Sequence, residues 1–250
     1  MLRRPSILTV ALLFVSLGLP LSASGKVIIL DYHTFLGSKR SSLDYSLQEL
    51  GAQLDHITSL GYHFVSLEDA IAGRIEGDDN VAITIDDGNR SDFEAYEHVF
   101  ASRGIKPELF VYPFIVGRSP HALTPEQLKS LSEAGCAVGA HGFFHEYMSE
   151  SAYRKDPRKV MMEVTRPAPA LERITGLRPT LFAYPFGNGC PEVEDALRDA
   201  GYQWAFSAGD KPKVVDFSDP ALDHFNVPRV IVYHWNREQI FSFLAKRLSP

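Results

Sequence analysis

The run from Val81 to Gly88, Val-Ala-Ile-Thr-Ile-Asp-Asp-Gly, limits the possible folds of this chain more than any other stretch. Its first five residues are uncharged and almost all apolar or β-branched, which is typical of a strand buried on both faces in a parallel α/β sheet. Such a strand delivers the residues after it to the face where α/β folds place their active sites. Asp86 and Asp87 are therefore candidate functional residues, although an Asp-Gly turn with two solvated carboxylates is the alternative.

Strand-like and helix-like segments alternate along the whole chain. We expect strands at 27–30, 63–65, 81–85, 108–113, 136–140, 181–184, 203–206 and 230–232. We expect helices at 46–60, 67–72, 91–103, 125–134, 158–175, 191–200 and 236–247, with caps at Ser46, Ser91 and Thr124 and with Pro167 and Pro169 interrupting the fifth. Residues 207–226 are predicted to form a long loop. This alternation indicates an α/β fold, as a parallel sheet or a barrel, in one domain.

Residues 1–25 have the pattern of a secretory signal peptide. A basic start at Arg3 and Arg4 precedes an apolar run at 7–19, and small residues stand before a predicted cut ahead of Lys26. The apolar run is short for a membrane span, although an uncleaved anchor is the alternative. We therefore expect residues 1–25 to be removed on export, leaving a mature domain of residues 26–250 in the periplasm or outside the cell, with no stable membrane span.

Charge and cysteine content restrict the partners. The chain has 25 Lys and Arg against 31 Asp and Glu, and its leader carries two of the arginines, so the mature chain has a net charge of −8. An acidic chain argues against nucleic-acid binding, which needs basic surface to neutralise phosphates. Cys136 and Cys190 could form a disulfide in an oxidising compartment, but a buried free thiol at Cys136 is an equal possibility.

Two histidines follow the strand that ends near residue 140. His141 and His145 are four residues apart, a spacing at which two imidazoles can share one metal ion. Two histidines and one carboxylate, with positions left for water, form a catalytic zinc set. With two aspartates available, one can bind the metal while the other takes a proton from the attacking water.

Three motifs together resemble the polysaccharide deacetylases with a NodB-homology domain, carbohydrate esterase family 4. Thr84-Ile85-Asp86-Asp87-Gly88 is similar to their first motif, His141-x-x-x-His145 to their second, and Tyr184-Pro185-Phe186-Gly187 to their third. The resemblance extends from residue 27 to about residue 232. It implies a distorted (β/α) barrel of about seven parallel strands and metal-dependent removal of acetyl groups from N-acetylglucosamine units.

The resemblance also implies a role for each motif residue. Asp86 would be the general base, and the backbone N–H of Phe186 would stabilise the tetrahedral oxyanion. The divalent metal, zinc with cobalt or nickel as alternatives, would be held by Asp87, His141 and His145. Tyr184, Pro185 and Phe143 would border the substrate.

This chain departs from the family pattern at its second and third motifs. Gly142 stands where the second motif usually has Ser or Thr, and Ala183 stands where the third motif often has Arg. The arginine that orients the base would then be missing or come from elsewhere, with Arg229 a weak candidate. The general acid is predicted to be His33, because Leu-Asp-Tyr-His on the first strand resembles biofilm poly-N-acetylglucosamine deacetylases with permuted motifs; His234 is the alternative.

The resulting hypothesis is an exported, metal-dependent deacetylase of a polysaccharide that contains N-acetylglucosamine. Poly-N-acetylglucosamine is the favoured substrate, and peptidoglycan or chitin oligomers are the alternatives. A third possibility belongs to another functional class: a carbohydrate-binding relative that has lost catalysis, suggested by Gly142 and Ala183. The sequence does not predict an oligomeric state.

Overall fold

Strands and helices alternate along the protein, which the computed structural model describes at residues 25–38 and 40–248. The strands are β1 (Val27–Tyr32), β2 (His63–Val65), β3 (Asn80–Asp87), β4 (Glu108–Val111), β5 (Val138–Ala140), β6 (Leu181–Ala183), β7 (Trp204–Gly209), β8 (Val214–Val215) and β9 (Val227–Ile231). The helices are α1 (Leu47–Ser59), α2 (Leu67–Ile71), α3 (Ser91–Ala95), α4 (Pro125–Glu133), α5 (Glu150–Lys155), α6 (Pro157–Thr165), α7 (Pro167–Thr175), α8 (Pro191–Asp199) and α9 (Arg237–Arg247). Within these residues, no helix combines the length and apolar character needed to cross a bilayer. The predicted leader lies, apart from Gly25, outside the described residues.

Seven parallel strands close into a barrel in the order β3, β4, β5, β6, β7, β9, β1. Closure comes from β1, which pairs in parallel with β3 from Val27↔Asn80 to Tyr32↔Ile85 and with β9 at Leu30↔Val230. The short strand β2 pairs with the first half of β3, and β8 runs antiparallel to the start of β1. The predicted α/β barrel of about seven parallel strands is confirmed.

The strands are apolar without alternation because they separate two cores. Outward residues of the strands pack with the helices into the larger cluster, which includes Leu30, Ile83 and Phe182. Inward residues fill the barrel, together with Leu67 and Ala70 of α2. The inward strand residues are Val27, Ile29, Ala82, Phe110, Ala183, Phe206 and Val227. A strand buried on both sides has no face that favours polar residues. Each polar residue inside the barrel therefore needs a hydrogen-bond or charge partner to offset the cost of burying it.

Two of the three predicted helix N-caps are confirmed, and the third is wrong. Ser46 and Thr124 each form a capping box. Ser91 is instead the first residue of α3, and its hydroxyl accepts a hydrogen bond from the backbone N–H of Phe35. The helix expected at 91–103 also changes to a π-helical turn at Tyr96–Phe100 and a 3₁₀ turn at Ala101–Arg103. A distant backbone donor thus competes for a hydroxyl that local rules assign to the cap.

The long loop predicted at 207–226 is wrong in its first half. Strand β7 continues to Gly209, because its residues pair with β9 from Phe206↔Val227 to Gly209↔Val230. Residues Val214–Val215 add the short strand β8. Ser-Ala-Gly has weak strand propensity, so here the neighbouring strand decides the conformation.

The two cysteines are unpaired and buried. Burial raises the pKa of the Cys136 thiol to about 12. This thiol therefore stays protonated at neutral pH, and of the two possibilities left by the sequence, the buried thiol is the one observed.

A buried carboxyl group at the start of β4 should make the stability of the fold depend on pH. Glu108 is 3% exposed, and burial, with a smaller contribution from Glu68, raises its pKa from 4.5 to about 8. A raised pKa means that this group stabilises the fold fully below pH 4.5 and loses that contribution as pH rises towards 8, by up to about 1.4 kcal/mol per unit. We expect Glu108→Gln to flatten the fall in urea midpoint between pH 5 and 9.

The matched control for this prediction is Glu172→Gln on α7, where the carboxylate is exposed and pairs with Arg178. Urea midpoints of the wild type and both variants at pH 5, 7 and 9 provide the comparison. If the midpoint of Glu108→Gln falls with pH as steeply as that of the wild type, Glu108 is not the titrating group.

Candidate active site

The C-terminal ends of β1, β3, β5 and β6 bring the sequence motifs to one end of the barrel. Six predicted residues meet there: His33, Asp86, Asp87, His141, His145 and Phe186. Parallel strands place their carboxyl ends at a common edge, which is why motifs far apart in sequence can share one site. Motif residues from four strands thus lie together at this end of the barrel.

One cluster in this site consists of Asp87, His141 and His145, each of which offers a ligand atom within 4.8 Å of the others. The Nε2 atoms of His141 and His145 lie 3.6 and 3.2 Å from Asp87 Oδ1. His141 Nδ1 lies 2.9 Å from the carbonyl oxygen of Ala183. A carbonyl can only accept, so Nδ1 donates the hydrogen bond, and Nε2 is the nitrogen that faces the carboxylates.

The backbone at this site occupies the left-handed region at three residues that are not glycine. Asp87, His145 and Phe186 have φ values of 80°, 65° and 59°, and they are the only such cases at residues 25–38 and 40–248. Each such residue costs on the order of 1–3 kcal/mol and persists only where its surroundings fix the conformation. The strain is therefore confined to the predicted metal ligands and to the predicted oxyanion donor.

The Asp87 cluster suits a divalent cation. Oδ1 of Asp87 is buried and receives no well-aligned hydrogen bond in the described part of the chain. Burial opposes ionisation of this carboxyl group, but the adjacent His145 ring and the charge of His141 hold its pKa below the usual value. Two imidazole nitrogens and one carboxylate oxygen are the donor set that catalytic zinc prefers, with room left for water or substrate.

Asp86 forms a second cluster with a buried arginine. Arg229 on β9 contacts both oxygens of Asp86, at 2.7 Å from Nη1 to Oδ1 and 2.8 Å from Nη2 to Oδ2, and its side chain is fully buried. Burial opposes ionisation of Asp86, but the Arg229 guanidinium holds its pKa far below the usual range. Arg229, the weak candidate, thus makes the contact with the predicted base that was expected of the missing arginine, and Ala183 itself is buried.

Asp31 is a buried site residue to which the sequence assigned no role. It lies 3.3 Å from Arg229 Nη1 and accepts a hydrogen bond from the Thr84 hydroxyl, while its Oδ2 has no partner among the described residues. Burial raises its pKa to about 7, although Arg229 acts in the opposite direction. The sequence offered one signal: Asp31 and His33 are two residues apart, and an extended chain points two such side chains to the same side.

Of the two candidate general acids, only His33 lies among these carboxylates. One of its ring nitrogens lies within 4.8 Å of oxygen atoms of both Asp31 and Asp86. His234 is engaged elsewhere: Nε2 lies 2.8 Å from the carbonyl oxygen of Asp44, and the ring stands 4.3 Å from that of Tyr45. The geometry therefore favours His33 as the group that can reach a bound substrate.

The predicted substrate border needs correction at two residues. Tyr184 is 2% exposed and donates its hydroxyl hydrogen to the carbonyl of Phe225, and Pro185 is also buried, so neither side chain faces a substrate. The third predicted residue, Phe143, is only partly buried. An exposed aromatic pair lies beside His145: the ring of Phe186 is 4.7 Å from the His145 ring and stacks 3.8 Å from that of Tyr147.

Comparison with known proteins identifies the family. The sequence profile described as "Polysaccharide deacetylase" matches residues 74–205, a little over half of the chain. The chain belongs to the polysaccharide deacetylase family. This is the family that the three motifs predicted.

Solved structures support the assignment. The structure of IcaB from Ammonifex degensii is similar to this chain with a TM-score of 0.76 and 28% identity, over 88% of this chain and 97% of that one. The polysaccharide deacetylase BC0361 from Bacillus cereus has a TM-score of 0.70 and 22% identity, over 88% of this chain and 69% of that one. At that identity, the second comparison supports the fold alone.

Curated relatives are matched only in part. The Bacillus subtilis protein named "Putative polysaccharide deacetylase YxkH" is 24% identical over 182 residues, which are 71% of this chain and 63% of YxkH. A second match, 26% identical over 112 residues, covers 45% of this chain and 4% of a Bacillus protein named "Gellan lyase". This chain thus spans less than two thirds of the length of either relative.

Proposed function

We propose that this protein hydrolyses the acetamide group of N-acetylglucosamine units in a polysaccharide outside the cytoplasm, with poly-N-acetylglucosamine as the first candidate. The observation that carries the proposal is the pairing of two adjacent aspartates with different partners. Both carboxylates lie 3.6 Å from His141 Nε2, but only Asp87 also faces His145, and only Asp86 is bound by Arg229. Two carboxylates in different surroundings can divide the work of metal binding and proton transfer.

In this proposal Asp87, His141 and His145 would hold a divalent cation, with zinc as first choice and cobalt or nickel as alternatives. A cation bound there supplies Lewis-acid polarisation of the acetamide carbonyl and lowers the pKa of water. The hydrogen bond from His141 Nδ1 to the Ala183 carbonyl fixes the imidazole so that Nε2 is available as a ligand.

The other site residues would move protons and stabilise charge. Asp86 stays ionised beside Arg229 and can take the proton of the attacking water. As the C–N bond of the tetrahedral intermediate breaks, His33 would deliver a proton to the leaving nitrogen. The backbone N–H of Phe186 would stabilise the oxyanion. The products are acetate and a free amino group on the sugar.

The choice of glycan rests on the first strand. His33 follows β1 and lies among the carboxylates of the site, which is the permuted arrangement that the sequence motif suggested for poly-N-acetylglucosamine deacetylases. The domain assignment of residues 26–250 and export through the leader at 1–25 remain part of this proposal. Peptidoglycan and chitin oligomers share the acetamide group and are the alternatives. The inactive carbohydrate-binding alternative loses its main support, because Arg229 supplies the guanidinium that Ala183 lacks.

Acetate release by the purified protein tests the proposal. Poly-N-acetylglucosamine, peptidoglycan and chitin oligomers would be offered side by side, as purified, after chelation, and after zinc is restored. We expect release from poly-N-acetylglucosamine that disappears with chelator and returns with zinc. Release from peptidoglycan alone would overturn the choice of glycan, and release that survives complete metal removal would overturn the role of the cation.

A further inference from the structure

A buried glutamate supports the loop that joins the two histidines of the site. Glu163 on α6 is fully buried, and its Oε2 accepts hydrogen bonds from four successive backbone N–H groups. These donors belong to Phe143, Phe144, His145 and Glu146, at 2.8, 3.0, 3.1 and 3.4 Å. One of the four donors, the backbone N–H of His145, belongs to a predicted metal ligand.

The loop 142–146 can present four consecutive donors to one point because its backbone turns tightly. Gly142 and His145 have φ values of 69° and 65°. Successive N–H groups in such a turn form a concave anion-binding surface. A buried carboxylate is costly unless its oxygens are satisfied, and the same holds for buried N–H groups. Glu163 and the loop therefore stabilise each other, and neither would keep this arrangement alone.

Gly142 is required by the presence of this carboxylate. A Cβ atom at residue 142 would lie 2.5 Å from Glu163 Oε2 and 3.0 Å from Pro185 Cγ. Both distances are too short for unstrained contacts, and an L-residue also disfavours a φ of 69°. Glu163 and a side chain at residue 142 thus exclude each other. This explains why the chain has glycine where the motif that it resembles usually has Ser or Thr.

We propose that Glu163 is a positioning residue that sets the distance between the two imidazole ligands by holding the loop from Phe143 to Glu146. His141 is fixed at one end by β5 and by the Ala183 carbonyl. His145 lies at the other end, within the loop, and its backbone N–H donates to Glu163. The inference rests on the proposed function in one respect only, that these imidazoles bind a metal ion.

The variant Glu163→Gln tests this role. The amide keeps one acceptor oxygen but directs an NH₂ donor at N–H groups that need an acceptor, so the loop loses part of its support. We expect the dissociation constant for zinc, measured by competition with a chromogenic chelator, to rise by about 10–100-fold. We also expect the visible absorption of the cobalt-substituted protein to change in position and intensity, because the ligand geometry is altered.

The control is Glu146→Gln, which removes the same charge from the loop itself. The Glu146 side chain is 44% exposed and pairs with Lys159 at 2.7 Å, so its carboxylate takes no part in holding the backbone. We expect zinc affinity and the cobalt spectrum of this variant to match the wild type. The conservative variant Glu163→Asp keeps the carboxylate on a shorter side chain, and should retain more affinity than Glu163→Gln. Wild-type affinity and spectrum in Glu163→Gln would overturn the inference.

Amide exchange of the wild-type protein tests the same role if Glu163→Gln fails to fold. The N–H groups of Phe143, Phe144 and His145 have no backbone acceptor among the described residues, and the Glu163 carboxylate is the acceptor that would protect them. We expect slow exchange at all three residues in the metal-free protein. Fast exchange at these residues, with slow exchange in β3, would refute the inference.

The outcome separates this inference from the proposed function. Weak zinc binding by Glu163→Gln would support the positioning role even if the wild type releases no acetate from any glycan. Acetate release by the wild type, together with undisturbed zinc binding in Glu163→Gln, would support the deacetylase and refute the role of Glu163.

Discussion

The Asp86→Asn variant should lose acetate release by a factor of about 10²–10⁴ in kcat and still bind one metal ion per chain. An amide cannot take the proton of the attacking water, so the general-base contribution is lost. The proposed metal ligands Asp87, His141 and His145 are unchanged by the substitution. The prediction therefore separates the role of Asp86 in proton transfer from the role of its neighbour Asp87 in metal binding.

The fold should survive this substitution. The introduced amide can accept one of the two Arg229 hydrogen bonds through its remaining oxygen, and Asp31 stays 3.3 Å from the same guanidinium to balance its charge. Asp55→Asn is the matched control, because Asp55 also accepts two hydrogen bonds from an arginine, Arg103, but at the surface and away from the site. Acetate release, metal content by elemental analysis and thermal unfolding of both variants give the comparison.

Two results would contradict the assignment of Asp86. Acetate release by Asp86→Asn within about threefold of the wild type would show that another group takes the proton, since loss of a general base costs far more than that. Loss of the metal ion from a folded Asp86→Asn protein would place Asp86 in the ligand set instead. In either case the control Asp55→Asn should retain full activity and metal.

The features predicted best from the sequence are those that depend on residues close together along the chain. Apolar runs gave the barrel strands, because a strand between two cores must be apolar on both faces. The capping boxes at Ser46 and Thr124 were recognised for the same reason, since the cap and its partner are three residues apart. The motif residues Asp86, Asp87 and His141 were found at strand ends, where the parallel order of the strands brings them together.

What the sequence left open depends on partners distant along the chain. Arg229 and Asp86 are 143 residues apart, and their contact requires that β9 present residue 229 to the inside of the barrel. Glu163 accepts a hydrogen bond from the backbone N–H of Phe143, 20 residues before it, and a backbone N–H leaves no sequence signature. At Ser91 a distant partner overrides a local pattern: the backbone N–H of Phe35 donates to the hydroxyl that was predicted to cap the helix.

Arg229→Met should cause the largest loss of stability among the site variants. The substitution leaves Asp86 and Asp31 buried in the barrel without the counter-charge that Arg229 supplies. Breaking a buried ion pair by removing one partner costs about 3–5 kcal/mol. We expect a loss of that size in the free energy of unfolding measured with urea. Arg103→Met, which breaks the exposed pair with Asp55, should cost far less because solvent screens that pair.

The Arg229 substitution should also move the pH profile of activity. Arg229 lowers the pKa of Asp86, so its removal raises that pKa, and the base becomes protonated at a higher pH. We expect the acid limb of kcat/KM to shift to higher pH in any Arg229→Met protein that folds. Arg229→Lys keeps a positive charge without the two-pronged contact, so its acid limb should lie between those of the other two proteins.

The double variant Arg229→Met/Asp86→Asn distinguishes an unpaired charge from a simple packing defect. If the cost of Arg229→Met comes from the uncompensated Asp86 carboxylate, removing that carboxylate should recover part of the lost stability without restoring activity. If the loss in free energy of unfolding of the double variant instead equals the sum of the losses of the two single variants, the arginine stabilises the fold through its contacts with Phe110 and Ser207. Recovery of stability without activity is the expected result, because the same carboxylate that needs Arg229 in the fold is the one that takes the proton.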